Sequence, residues 1–142
     1  MPPSREPVTD CFFDGACKGN QFAQKGPMWV AYVIGREEHV HEVPDLPSAR
    51  GPLRSNNIAE YEALIRLLRR VRELDSWRSG TRYVVSGDSQ LVVYQMQGRY
   101  RVREPHLVAL HEQARILARE LPVTFRWVPR EQNRAGHLLE SA

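Results

Sequence analysis

The chain has 142 residues, 42% of them hydrophobic, and a formal net charge of +3. That length suits one core, and no stretch approaches the roughly 18 apolar residues of a membrane span, so neither a second domain nor a membrane partner is expected. Cys11 and Cys17 are the only cysteines, too few for a disulfide framework or a zinc site, which fits a reducing, cytoplasmic setting.

Arginines number 18 against two lysines. Guanidinium grips phosphate through two parallel hydrogen bonds, which favours phosphate-bearing partners, although genome composition or thermal adaptation would give the same excess. Residues 1–9 read as a disordered leader and 10–142 as a single domain. TDCFFDGA is a short strand closing on Asp14-Gly15; GPMWVAYVIG and HVHEV are two more, joined at Gly35-Arg36-Glu37-Glu38 into an antiparallel meander. PDLPSARGPLRS, rich in Pro, Gly and Ser, is a loop.

NNIAEYEALIRLLRRVREL then reads as a helix with Ser55 or Asn56 at its N-cap. Leu64, Leu67, Leu68, Val71 and Leu74 share one face, and Glu60 falls on that face too, while Glu62, Arg66, Arg69 and Glu73 point away. A carboxylate aimed at the core side costs several kcal/mol unless it is compensated, so something positive must meet Glu60. A divalent metal is the leading candidate and an internal arginine the alternative.

TRYVVSG is a fourth strand. Asp88 opens DSQLVVYQMQG, a short helix with Asp88 at the N-cap and Gly98 at the end. EPHLVALHEQARILAREL is a third helix striped by Leu107, Leu110, Ala114, Leu117 and Leu121; VTFRWV is the fifth strand, and NRAGHLLESA begins a last helix. Crossover helices make the last two strands parallel to the first. The expected fold is therefore α/β, a five-stranded mixed sheet of three antiparallel plus two parallel strands flanked by helices.

On that scheme Asp14 and Asp88 sit at the carboxyl ends of neighbouring parallel strands, where open α/β sheets bind ligands, with Glu60 on the helix between. Three carboxylates that close require cations, and oxygen-only ligation suits magnesium or manganese rather than zinc. Taken singly, Asp14-Gly15 is a turn dipeptide and Asp88 a helix cap. Gly98-Arg99-Tyr100-Arg101-Val102-Arg103 alternates arginines with an aromatic and reads either as a ridge tracking a nucleic-acid backbone or as a solvated loop.

Asp14 to Asn20 (DGACKGN), Asn56-Asn57-Ile-Ala-Glu60-Tyr-Glu-Ala-Leu-Ile, Gly87-Asp88-Ser89-Gln90-Leu-Val and Arg130-Glu131-Gln132-Asn133 together resemble the four signature blocks of type 1 ribonuclease H, in order, over the chain from Asp10 onward. The likeness is to the compact bacterial and archaeal forms, which lack a basic protrusion. It implies a ribonuclease H-like fold and a metal-dependent endoribonuclease that cuts the RNA strand of RNA/DNA hybrids to 5′-phosphate and 3′-hydroxyl products. Carried over by position, it implies that Asp14, Glu60 and Asp88 are catalytic metal ligands for two Mg²⁺ or Mn²⁺ ions.

The family's fourth acid follows the block's Asn by four positions. Here that position is His137, preceded by Gly136, and a shifted register offers Glu140 instead. An imidazole there implies weaker binding of one metal and a preference for manganese. Recognition of the RNA strand at its 2′-hydroxyl is expected from backbone groups of Gly15, Cys17 and Lys18 and from Asn20, Asn56, Asn57 and Gln90. Arg54 and Ser55 are expected at a DNA-strand phosphate, with Arg99, Arg101 and Arg103 on the backbone. The resemblance implies a monomer with no obligatory protein partner. His137 also supports an alternative, a catalytically weakened hybrid-binding module of the same fold, and an integrase-like or exonuclease domain is a further rival.

Overall fold

The computed structural model describes residues 7–17, 27–44 and 55–142. Lys18, Asn20, Arg54, nearly all of the expected 44–55 loop and residues 1–6 of the expected leader lie outside that set. Strands β1 (Val8–Cys17), β2 (Met28–Ile34) and β3 (Glu37–Val43) form the meander. Strands β4 (Arg82–Gly87) and β5 (Val123–Trp127) join it in parallel, giving the order β3-β2-β1-β4-β5. Helices α1 (Asn56–Glu73), α2 (Gln90–Met96), α3 (Pro105–Arg119) and α4 (Arg134–Ser141) complete it. The expected mixed sheet of three antiparallel and two parallel strands is what the chain builds.

Both faces of the central strands are covered, which is why β2 and the Cys11-Phe12-Phe13 run of β1 are continuously apolar rather than alternating. Cys11, Phe13, Met28, Val30 and Val85 pack with α1 and α3, where Leu64, Leu67, Leu68, Val71, Leu107 and Leu110 are buried. Phe12, Ala31 and Val33 pack on the opposite face against Ala135 and Leu139 of α4. Ser55 caps α1 by accepting from the Ile58 N–H. Pro105 starts α3, where its missing N–H costs nothing. Among the described residues, no helix is long and apolar enough to cross a membrane.

Three local readings are corrected. Val8 and Thr9 are not leader but the start of β1, paired with Arg82 and Tyr83. The β2–β3 turn is the two-residue Gly35-Arg36, with Gly35 at φ 60, so β3 begins at Glu37 instead of His39. The N-cap of α2 is Ser89, whose hydroxyl accepts from the Val92 N–H. Asp88 is thereby left out of the helix cap and available to the sheet edge.

Candidate active site

The parallel register brings the acids together. Phe12 faces Ser86 in the last β1–β4 pair, so Asp14 and Asp88 each lie two residues further along, past the carboxyl end of β4. At Asp14, β1 is already paired on β2 alone, opposite Ala31. Above this edge α1 approaches β1 so closely that a Cβ on Gly15 would fall 2.2 Å from the Ala59 carbonyl carbon. Only glycine admits that approach, and it sets Glu60 over the strand end with its Oε1 accepting the Gly15 N–H at 3.1 Å.

Asp14, Glu60 and Asp88 each offer a carboxylate oxygen, and these atoms all lie within 4.8 Å of one another. Asp14 is 1% exposed and Glu60 6%. Burial pushes the Glu60 carboxyl well above the usual range, and the neighbouring Asp14 and then Asp88 push it further, with the Gly15 N–H pulling the other way. Among the described residues, its Oε2 is buried without a hydrogen-bond donor. A buried, unpartnered acceptor beside two further carboxylates is a donor set for a hard divalent cation, so the residues fit a metal.

Two side chains outside the expected set organise this edge. Asn133 is fully buried; its Nδ2 donates to the Phe13 carbonyl and to Asp88 Oδ2, each at 3.0 Å. Its Oδ1 caps α4 by accepting from the Ala135 and Gly136 N–H groups. Arg130, in the 3₁₀ turn before α4, donates from Nη1 to Asp14 Oδ2 at 2.7 Å and Asp88 Oδ2 at 3.0 Å. The arginine considered for Glu60 thus meets its two neighbours instead. Both residues stand in the Arg130–Asn133 block; Asn133 immediately before a helical stretch was the available signal.

His137 is exposed and outside the three-carboxylate group. Its backbone N–H donates to Asn133 O inside α4. Glu140 lies at the rim, 3.6 Å from Arg130 Nη2. Around the cluster, the Cys17 N–H is engaged by Asn56 Oδ1 at 2.8 Å, and the Gly15 N–H by Glu60, so neither amide is a spare donor. Asn56 and Gln90 are exposed and Asn57 half-buried. Arg99, Arg101 and Arg103 are exposed and line a cavity of about 460 Å³ with Tyr100 and Glu104. Arg99 lies over the Tyr94 ring at 4.1 Å.

A family model described as reverse transcriptase-like matches residues 45–141. Over 121 residues, 84% of this chain, the sequence is 36% identical to the bifunctional protein Rv2228c of Mycobacterium tuberculosis, of whose length the match spans 31%. The N-terminal RNase H domain of Rv2228c, solved as a fusion with maltose-binding protein, superposes with a TM-score of 0.73 at 28% identity, covering 95% of both chains. RNase H1 of the archaeon Halobacterium salinarum gives 0.72 at 28%, covering 95% of this chain and 99% of that one. LC11-RNase H1, solved in complex with an RNA/DNA hybrid, gives 0.73 at 30%, covering 94% and 95%. With that sheet, that carboxylate edge and these relatives, the chain belongs to the reverse-transcriptase-like family as a type 1 ribonuclease H domain.

Proposed function

We propose that the domain hydrolyses the RNA strand of RNA/DNA hybrids, leaving 5′-phosphate and 3′-hydroxyl ends. The observation that carries this is the trio Asp14, Glu60 and Asp88, with ligand oxygens within 4.8 Å and one buried Glu60 oxygen that no donor among the described residues meets. Support for the substrate comes from LC11-RNase H1, which was solved with an RNA/DNA hybrid.

Asp14, Glu60 and Asp88 would hold Mg²⁺ or Mn²⁺, two per site, which when bound supplies Lewis-acid polarisation of the phosphodiester and activation of water. The chain's own residues fix the geometry. Gly15 N–H orients Glu60, and Asn133 orients Asp88 while tying β1 to α4. In the displacement, a water oxygen bonds to phosphorus as the bond to the 3′ oxygen breaks, and that oxygen leaves with a proton as the 3′-hydroxyl. Exposed Arg99, Arg101 and Arg103 track backbone phosphates, Ser55 at the start of α1 lies toward the DNA strand, and Asn56, Asn57 and Gln90 read the RNA strand. The domain, which includes β1 from Val8, acts as a cytoplasmic monomer without an obligatory protein partner.

His137 supplies the position of the fourth acid without its charge. His137→Asp is therefore expected to lower the Mg²⁺ concentration needed, and His137→Ala to remove a preference for Mn²⁺. The deciding experiment is incubation of purified protein with a labelled RNA/DNA hybrid and Mg²⁺ or Mn²⁺. Cleavage that EDTA abolishes, and that Asp14→Asn and Asp88→Asn lack while keeping their fold, bears the proposal out. Tight hybrid binding with no cleavage under either metal would establish instead the binding module that His137 favours.

A further inference from the structure

Three carboxylates this close cannot all carry charge without a counter-cation. In this structure the cation that meets them belongs to the chain. One guanidinium nitrogen, Arg130 Nη1, bridges Oδ2 of Asp14 at 2.7 Å and Oδ2 of Asp88 at 3.0 Å. A divalent ion drawn to the same trio competes with the guanidinium for the negative charge of the same two aspartates. The two aspartates are nearly buried, with side chains 1% and 15% exposed, whereas that of Arg130 is 48% exposed. The guanidinium thus enters from solvent at the end of a long flexible side chain and can leave without moving the backbone.

The neighbouring helix is shaped around this contact. A Cβ on Gly136 would lie 3.1 Å from both Cζ and Nη1 of Arg130 and 3.4 Å from Asp14 Oδ2, so the bare glycine leaves room for the guanidinium against the aspartate. Glu140 Oε1, 3.6 Å from Nη2 at the exposed rim, keeps a carboxylate beside the arginine when Nη1 is released.

We propose that Arg130 is an internal competitor for the metal site: its guanidinium offsets charge on Asp14 and Asp88 in the metal-free protein and is displaced when a divalent cation binds. Metal loading is then an exchange of one cation for another, and Arg130 sets the metal concentration at which it occurs. This rests on the reading of Asp14, Glu60 and Asp88 as metal ligands.

The test is calorimetric titration of Mn²⁺ and of Mg²⁺ into the whole protein without nucleic acid, comparing the parent, Arg130→Gln, Gly136→Ala and Asp14→Asn. Arg130→Gln is expected to bind Mn²⁺ roughly tenfold more tightly, the scale set by losing one charge-assisted hydrogen-bond network. Gly136→Ala keeps the charge but crowds the guanidinium, and is expected to tighten binding by a smaller factor, which keeps the test available should Arg130→Gln fail to fold. Asp14→Asn should lose the binding heat, assigning it to the trio. Equal or weaker metal binding in both Arg130→Gln and Gly136→Ala, with the parent still binding, overturns the competition and leaves the metal site standing. No binding by any of the four removes the metal site itself, and the inference with it.

Discussion

Of the arginines that meet carboxylates, Arg70 beside the edge strand β3 and Arg130 at the central strands do so in arrangements that differ in kind. At the β3 edge, Arg70 lays its fork on Glu37, with Nε on Oε2 at 2.9 Å and Nη2 on Oε1 at 2.7 Å, and reaches Glu73 with its remaining nitrogen at 3.1 Å. At the β1–β4 edge, a single Arg130 nitrogen is divided between Asp14 and Asp88, and Glu60 accepts the Gly15 backbone N–H. The carboxyl groups respond in opposite directions. Arg70 above all, with His39 adding to it against the opposing effect of burial, holds Glu37 at about 2, whereas burial and two acidic neighbours hold Glu60 well above its ordinary range. A matched pair is a strut. Carboxylates in excess of their cation are a site, because part of their charge is left for something the chain does not supply.

The largest expected effect comes from removing the device that creates the excess. Gly15→Ala would drive a methyl into the Ala59 carbonyl, so α1 has to lift from β1 and carry Glu60 with it. A loss of about 3 kcal/mol or more is expected in urea unfolding, of the order seen for severe overpacking. An Ala variant within 1 kcal/mol of the parent would mean that the close approach is not what places Glu60.

A smaller effect, of opposite sign, is expected at Glu60 itself. The folded metal-free protein keeps the Glu60 proton at pH values where the unfolded chain has released it, so the folded state binds more protons and stability falls as pH rises from about 4.5 through the raised value. Glu60→Gln removes that slope and is expected to be more stable than the parent at neutral pH without metal. Divalent metal should reverse the ranking by stabilising only the parent. Thermal melts from pH 4 to 8, with and without Mn²⁺, measure both; a variant less stable than the metal-free parent at pH 7 would make Glu60 a strut after all.

Glu60 was legible in the sequence because an acid on the leucine stripe breaks a strong 3.6-residue pattern, and Asp14 and Asp88 because strand ends next to crossover helices converge. The sheet followed from the same connections. What stayed hidden has no periodicity. Arg130 and Asn133 sit in a turn, and their partners Asp14 and Asp88 are 116 and 45 residues away in the chain. The Asp88-Ser89 pair presents two good caps, and propensity cannot say that the serine takes the role and frees the aspartate. The early start of β3 was missed because Glu37 and Glu38 look like turn residues until Arg70, 33 positions on, is seen to hold Glu37.

The smallest effect is expected at that last pair, and its sign completes the contrast. Glu37 is depressed to about 2, so its contribution is present above the unfolded value near 4.5 and is lost as pH falls between about 4.5 and 2. Both partners are about one-third exposed, 33% for Glu37 and 34% for Arg70, so solvent screening leaves little of the apparent strength as stability. Glu37→Gln should therefore cause a slight loss at pH 7, shrinking further with added salt, and no loss at pH 2. Bound metal should leave that loss unchanged, because Arg70 stands nearly three turns along α1 from Glu60 and Glu37 is on the edge strand β3. The double variant Glu37→Gln/Glu60→Gln should show additive changes, each confined to its own pH range. A metal-dependent Glu37→Gln effect, or strong non-additivity, would mean that the pair and the trio share one electrostatic network and are not a strut and a site.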